Sequence, residues 1–142
     1  MDTATATAPI LLLQRPRYTV AFQSGDSDTI SFIRDLDALL TLEKSNGYTF
    51  QATPHAYTRA KTYMRVLTHF ARPLPRPEFA PDGEGGIDIE WELGSKRFAI
   101  SCRATSDQQD CLYWRDLDKG GYQATEVTLG GMMNRINWIR SA

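Results

Sequence analysis

The stretch Ile87-Asp88-Ile89-Glu90-Trp91-Glu92-Leu93-Gly94-Ser95-Lys96-Arg97-Phe98-Ala99-Ile100-Ser101-Cys102 decides the fold. Ile87, Ile89, Trp91 and Leu93 alternate with Asp88, Glu90 and Glu92, and beyond Gly94-Ser95 the residues Phe98, Ile100 and Cys102 alternate with Arg97, Ala99 and Ser101. A period of two sends alternate side chains to opposite faces of a strand. A two-residue connection that opens with glycine fits a type II′ hairpin turn, because glycine takes positive φ without a steric penalty. That turn sets the register: Leu93 opposite Lys96, Glu92 opposite Arg97, Trp91 opposite Phe98 and Ile89 opposite Ile100. One face of the hairpin is then apolar and the other carries the Glu92–Arg97 pair.

Downstream, Thr105-Ser106-Asp107-Gln108 reads as a polar turn and a third strand follows from about Asp110 to Arg115. A four-residue turn there sets Cys102 opposite Cys111, within disulfide reach, although a reducing compartment keeps both as thiols. Asp118-Lys119-Gly120-Gly121 makes the next turn and Tyr122 to Val127 a fourth strand. Three short connections in succession imply an antiparallel meander. Thr128 then caps a last helix whose apolar stripe is Leu129, Met132, Met133, Ile136 and Ile139, with Trp138 at its margin.

Upstream, Arg72-Pro73-Leu74-Pro75-Arg76-Pro77 cannot continue a helix and runs extended, as a rigid strap over the core rather than a ligand for an SH3-type groove. Gly83-Glu84-Gly85-Gly86 precedes a strand, whereas phosphate loops open a helix, so its glycines serve to turn the chain. Thr53-Pro54 starts a helix, since threonine caps and proline at the first position loses only an amide with no partner. Its core face is Ala56, Ala60, Tyr63, Met64, Leu67 and Phe70. An earlier helix spans about Asp28 to Ser45, capped by Asp26 or Ser27 and stopped by Asn46-Gly47. Tyr18 to Phe22, and Ile10 to Leu13, have strand character.

The expectation is an α+β fold in a single domain, with an antiparallel β-meander of about four strands packed against two or three helices. Residues 1–9 form a disordered leader and residues 10–142 the domain, divided into a helical half (10–71), a Pro-rich strap (72–82), the meander (83–127) and a C-terminal helix (128–142). A chain of 142 residues has room for one core. With 42% hydrophobic and 23% charged residues the composition is that of a folded protein rather than a disordered chain. Sixteen Lys+Arg against seventeen Asp+Glu give a formal charge of −1, so no global field draws nucleic acid or anionic lipid, and any such binding needs a local patch. A basic n-region with a long apolar run is missing at the N-terminus, as is any apolar stretch of about 20 residues, which points to a cytoplasmic protein without a membrane span.

Chemistry has few footholds. Cys102 and Cys111 lack zinc-site spacing, His55 and His69 are the only histidines, and no G-x-S-x-G frame organises a nucleophile. No catalytic residue, metal ligand or cofactor is therefore assigned. Asp88, Glu90 and Glu92 share one face of a strand, which gathers carboxylates for a divalent ion; the same row also arises on any half-exposed strand, with Arg97 neutralising part of it. Lys61, Arg65, Arg72 and Arg76, with His69 among them, lie on one flank of the second helix and the strap. They form either a solvated face or a contact surface for an acidic partner or a phosphate backbone. Met132, Met133, Ile136 and Trp138 of the last helix make a second, apolar candidate face.

The segment from Pro75 through Glu78-Phe79-Ala80-Pro81-Asp82-Gly83-Glu84-Gly85-Gly86-Ile87-Asp88-Ile89-Glu90-Trp91 resembles a pattern of small uncharacterised bacterial proteins. In these a proline-rich strap leads into Gly-Gly, an apolar residue, a spacer and Glu-Trp, then a meander. The resemblance covers about Ala60 to Tyr113 and implies a bacterial or phage-like origin and a similar fold; it brings no activity and no site residues.

The function expected from these features is noncatalytic interaction with another macromolecule, as an accessory, inhibitory or immunity-type subunit, with a protein partner or a second copy of the chain. The alternatives are a small divalent-metal-dependent hydrolase or nuclease using the acidic strand face, and a nucleic-acid-binding module using the basic helix flank.

Overall fold

The computed structural model describes residues 31–38, 52–71 and 73–141. The leader, the two early strands, the ends of the first helix with their capping and stop signals, and Arg72 lie outside the described residues. The described elements are α1 (31–38), α2 (Pro54–Phe70), β1 (Glu78–Pro81), β2 (Ile87–Leu93), β3 (Lys96–Cys102), β4 (Cys111–Asp116), β5 (Gln123–Glu126) and α3 (Leu129–Arg140). The fold is α+β: an antiparallel sheet in the order β1-β2-β3-β4-β5, with helices against one face.

The central hairpin has the register read from its alternation, with Leu93 opposite Lys96, Glu92 opposite Arg97, Trp91 opposite Phe98 and Ile89 opposite Ile100. Gly94 takes a φ of 61°, the left-handed value required at the first central position of a primed turn. Trp91 and Phe98 stack across the ladder, with ring centroids 4.6 Å apart and planes 9° from parallel.

The strap contributes a fifth strand that its prolines conceal. Glu78–Pro81 pairs antiparallel with β2, with Phe79 opposite Ile89 and Pro81 opposite Ile87. Proline is tolerated there because an outer strand needs ladder bonds on one side only. The rest of the strap is fastened down: Leu74 is buried, and the carbonyl of Pro75 accepts from the Trp91 indole Nε1 at 2.8 Å.

Thr53 caps α2, its side chain accepting from the amide of Ala56 at 3.1 Å. Its hydroxyl also donates to the Ala104 carbonyl at 2.6 Å and its amide to the Gly85 carbonyl at 2.9 Å, so one residue ties the helix start to two turns. Ala56, Ala60, Tyr63, Met64 and Leu67 face the core as expected, but Phe70 is 55% exposed. The line Ala60, Met64, Leu67 continues at Ala71, four residues on, so the buried place in the last turn goes to Ala71 and Phe70 falls on the flank. α3 is capped by Thr128, whose side chain accepts from Gly131 at 2.9 Å. Met132, Ile136 and Ile139 are buried in the common core, while Leu129, in the first turn, is 45% exposed.

Two expectations about the sheet are corrected. Cys111 lies opposite Ser101, not opposite Cys102. The Arg103 amide donates to the Asp110 carboxylate (Oδ1, 2.8 Å) instead of to a ladder carbonyl, so regular pairing ends one residue earlier. Neighbouring residues point to opposite faces, hence Cys102 enters the helix-covered core and Cys111 the other side. Both thiols are free, and burial pushes the Cys102 thiol well up.

The second correction concerns the acidic row. Asp88 and Glu90 are 1% and 3% exposed, and only Glu92 reaches solvent. The half-exposed reading fails because β2 is an inner strand whose polar face is covered too: Ala80, Ala99, Ser101 and Tyr113 beside these carboxylates are likewise buried.

Candidate interaction cleft

The cross-strand pairs place Trp91, Phe98, Trp114 and Gln123 in one row of the helix-covered face, with Leu93, Lys96 and Asp116 in the next. α3 lies over this end of the sheet, and its register delivers Arg135 and Trp138, three residues apart and so on one side of the helix, against Trp114. The Arg135 guanidinium carbon sits 4.4 Å from the centroid of the Trp114 ring and 5.0 Å from that of Trp138. Lys96 covers Trp138 as well, its Nζ 5.1 Å from the ring centroid while donating to the Trp138 carbonyl at 2.8 Å and the Ser141 hydroxyl at 3.0 Å.

Trp114, Gln123, Arg135 and Trp138 line one side of a cleft of about 340 Å³. Asp116, Lys119, Gly120, Gly121 and Tyr122 of the β4–β5 connection line the other, where Arg115 stacks at 4.5 Å on the Tyr122 ring and donates to its hydroxyl. Gly120 and Gly121, at φ 69° and 76°, permit the sharp return that brings Tyr122 back beside Arg115. The connection is anchored by the Leu117 amide, which donates to the Ser95 carbonyl at 2.7 Å. Leu117 and Leu93, brought to the same end of the sheet, are 41% and 47% exposed.

Arg135 differs from the other half-buried arginines. Arg59, Arg97, Arg103, Arg115 and Arg140 each donate to an oxygen acceptor. Arg135 has the two indole rings and, among the described residues, neither a hydrogen-bond acceptor nor a carboxylate. Burial alone pulls its pKa down, yet a guanidinium remains charged at any physiological pH. Cation–π contact is worth about 0.5–2 kcal/mol and leaves the in-plane N–H donors unused. Asp116 stays ionised, its pKa lowered by the Asp118 amide and by the Ser95 hydroxyl. The cleft therefore offers three cations, Arg115, Lys119 and Arg135, against one carboxylate.

A second depression, of about 430 Å³, is lined by His55, Arg59, Tyr63, Gln109, Asp110 and Glu126 among others. Several of its polar groups pair with each other. Asp110 Oδ2 accepts from Arg59 Nε at 2.9 Å and from the Tyr63 hydroxyl at 2.5 Å, and Gln109 donates to Glu126 at 2.8 Å. Burial, reinforced by the bond to Asp110, pushes the Tyr63 hydroxyl pKa up. This network locks α2 to the β3–β4 turn.

The residues singled out from the sequence do not form one surface. Lys61 sits 4.8 Å from the Tyr57 ring centroid and Arg65 is exposed. Arg76 is drawn away from the flank by the buried carboxylate of Asp35 and lies over the Phe32 ring. Met132 and Ile136 are occupied within the protein's own core; Met133 and Trp138 pack at its edge, and Trp138 alone of the four lines the cleft. Asp88, Glu90 and Glu92 do not converge: residues two apart on a strand are separated by roughly 7 Å. Among the described residues no group of three or more His, Cys, Asp or Glu side chains is placed to hold a metal ion. Among them, too, no helix is long and apolar enough to cross a membrane.

No protein-family model matches the sequence, no curated protein is significantly similar to it, and no solved structure matches it.

Proposed function

We propose that this chain is a noncatalytic interaction protein of the bacterial cytoplasm, an accessory or inhibitory subunit that grips a protein partner through the cleft between α3 and the β4–β5 connection. The observation that carries this reading is Arg135, a half-buried cation held over Trp114 and Trp138 with its hydrogen-bonding edge unused. The N–H donors of Arg135 stay open to the cleft rather than sealed from water, so an anionic group supplied by another molecule can reach them and form charge-assisted hydrogen bonds. Trp, Tyr and Arg together are also the composition of binding hot spots, and Leu93 and Leu117 add exposed apolar surface beside them.

The test compares capture from the native cell extract by the full chain and by Arg135→Gln, Trp114→Ala and Arg65→Gln variants whose melting curves match the parent. A partner retained in stoichiometric amount by the parent and Arg65→Gln, and lost from the two cleft variants, supports the proposal. Identical behaviour of all four proteins overturns it.

A further inference from the structure

We infer that the group seated in this cleft is an acidic polypeptide segment, whose carboxylate meets the edge of Arg135 and whose neighbouring apolar side chain packs against Leu117 and Leu93. The inference rests on the interaction reading above and narrows it to the chemistry of the partner.

Three observations carry it. The Arg135 guanidinium sits over two rings, and a planar fork restrained by such contacts can meet a carboxylate bidentately at reduced loss of freedom. Lys119 lines the same cleft, so a second carboxylate one or two residues along the segment has a cation within the site. At about 340 Å³ the cleft suits a few side chains rather than a larger body.

A phosphate backbone is the poorer fit. Polyanion binding needs a run of cations that tracks successive phosphates, whereas Lys61, Arg65 and Arg76 contribute nothing to this lining. Asp116 lies inside the cleft and Asp118 in the same connection, its amide bonded to Asp116 Oδ1 at 3.0 Å. Asp116 and Asp118 beside so few cations oppose a polyanion, while one or two carboxylates on a peptide have Arg135 and Lys119 to address. The exposed leucines also suit a peptide, which carries apolar side chains beside its acids.

The experiment is a tryptophan-fluorescence titration of the full chain with a short glutamate–leucine peptide, the same peptide with glutamine for glutamate, and oligo(dT). Trp114 and Trp138 report on the cleft, and Trp91 is buried away from solvent as an internal reference. The expected result is saturable, salt-weakened binding of the glutamate peptide. The glutamine peptide, and the Arg135→Gln variant titrated with the glutamate peptide, should bind roughly tenfold or more weakly, the loss of a charge-assisted contact. Arg135→Lys should recover part of that loss. Equal binding of both peptides, an unaffected Arg135→Gln variant, preferential binding of oligo(dT), or no response to any probe overturns the inference. If the capture experiment nevertheless depends on Arg135 and Trp114, the interaction reading stands and only the acidic nature of the segment is refuted.

Discussion

The Trp91 indole N–H donates to the Pro75 carbonyl at 2.8 Å, so the largest fully buried side chain of the sheet is also the fastening of the strap. A Trp91→Phe substitution keeps an aromatic ring against Phe98 but leaves that carbonyl without its donor and opens space. A loss of about 2–4 kcal/mol is expected in urea denaturation. A loss below about 1 kcal/mol would show that the strap is held by burial of Leu74 and its neighbours instead.

Asp110 accepts from Arg59, Tyr63 and the Arg103 amide at once. Asp110→Ala strips three donors of one acceptor and should cost about 2–4 kcal/mol, less than a fully buried ion pair because Arg59 is partly solvated. Tyr63→Phe removes one bond only and should cost about 1 kcal/mol. Comparable losses in the two variants would contradict the shared-acceptor arrangement.

Gly86 and Gly83 bear on the hairpin entrance differently. A Cβ at Gly86 would stand 2.6 Å from the Cys102 carbonyl oxygen, a backbone atom that cannot step aside, whereas Gly83 has open space and a φ of 84°. Gly86→Ala should therefore destabilise by about 2–4 kcal/mol or prevent folding, and Gly83→Ala by about 1 kcal/mol, the conformational cost alone. Urea midpoints of the two alanine variants check the order, and its reversal would refute this account.

The two cysteines should react at different rates. With Cys102 fully buried and Cys111 half-exposed on the opposite face, a thiol reagent should label Cys111 alone in the native protein and both after denaturation. Formation of an intramolecular disulfide under mild oxidation would contradict the Ser101–Cys111 register.

Tyr57 gives an alkaline signature. Burial first, and then its hydrogen bond to the Asp37 carboxylate, raise its pKa from 10.0 to about 12. A folded value above the unfolded one means that this contribution to stability is complete below pH 10.0 and is lost as pH rises toward about 12. Tyr57→Phe should flatten the decline in urea midpoint across that window. An unchanged slope would show that Tyr57 titrates freely.

The central hairpin was legible because turn chemistry and two alternating patterns agreed on one register. β1 was not, since the prolines that announce an extended strap also erase the usual strand composition around Phe79. The register of β4 slipped because the Asp110 carboxylate substitutes for a ladder carbonyl, which spacing does not reveal. Alternation assigned Asp88 and Glu90 to the right face, but what covers a face is a property of the tertiary structure. The cleft escaped for a related reason: Trp114 is remote from Arg135 in sequence. The three-residue spacing of Arg135 and Trp138 is its one local signal; the sequence places Trp138 in an apolar candidate face with Met132, Met133 and Ile136, without Arg135.

The outer strands of the described sheet, β1 and β5, are its shortest at four residues each. β1 closes on Pro81, which has no N–H to offer, and β5 presents exposed Gln123 and Glu126. Such margins are poor templates for adding a foreign strand and protect against edge-to-edge aggregation. On the proposed reading, a partner meets little backbone to copy or extend along the described sheet and reads it through side chains, which gives the clustered tryptophans and arginine at the end of the sheet the burden of specificity.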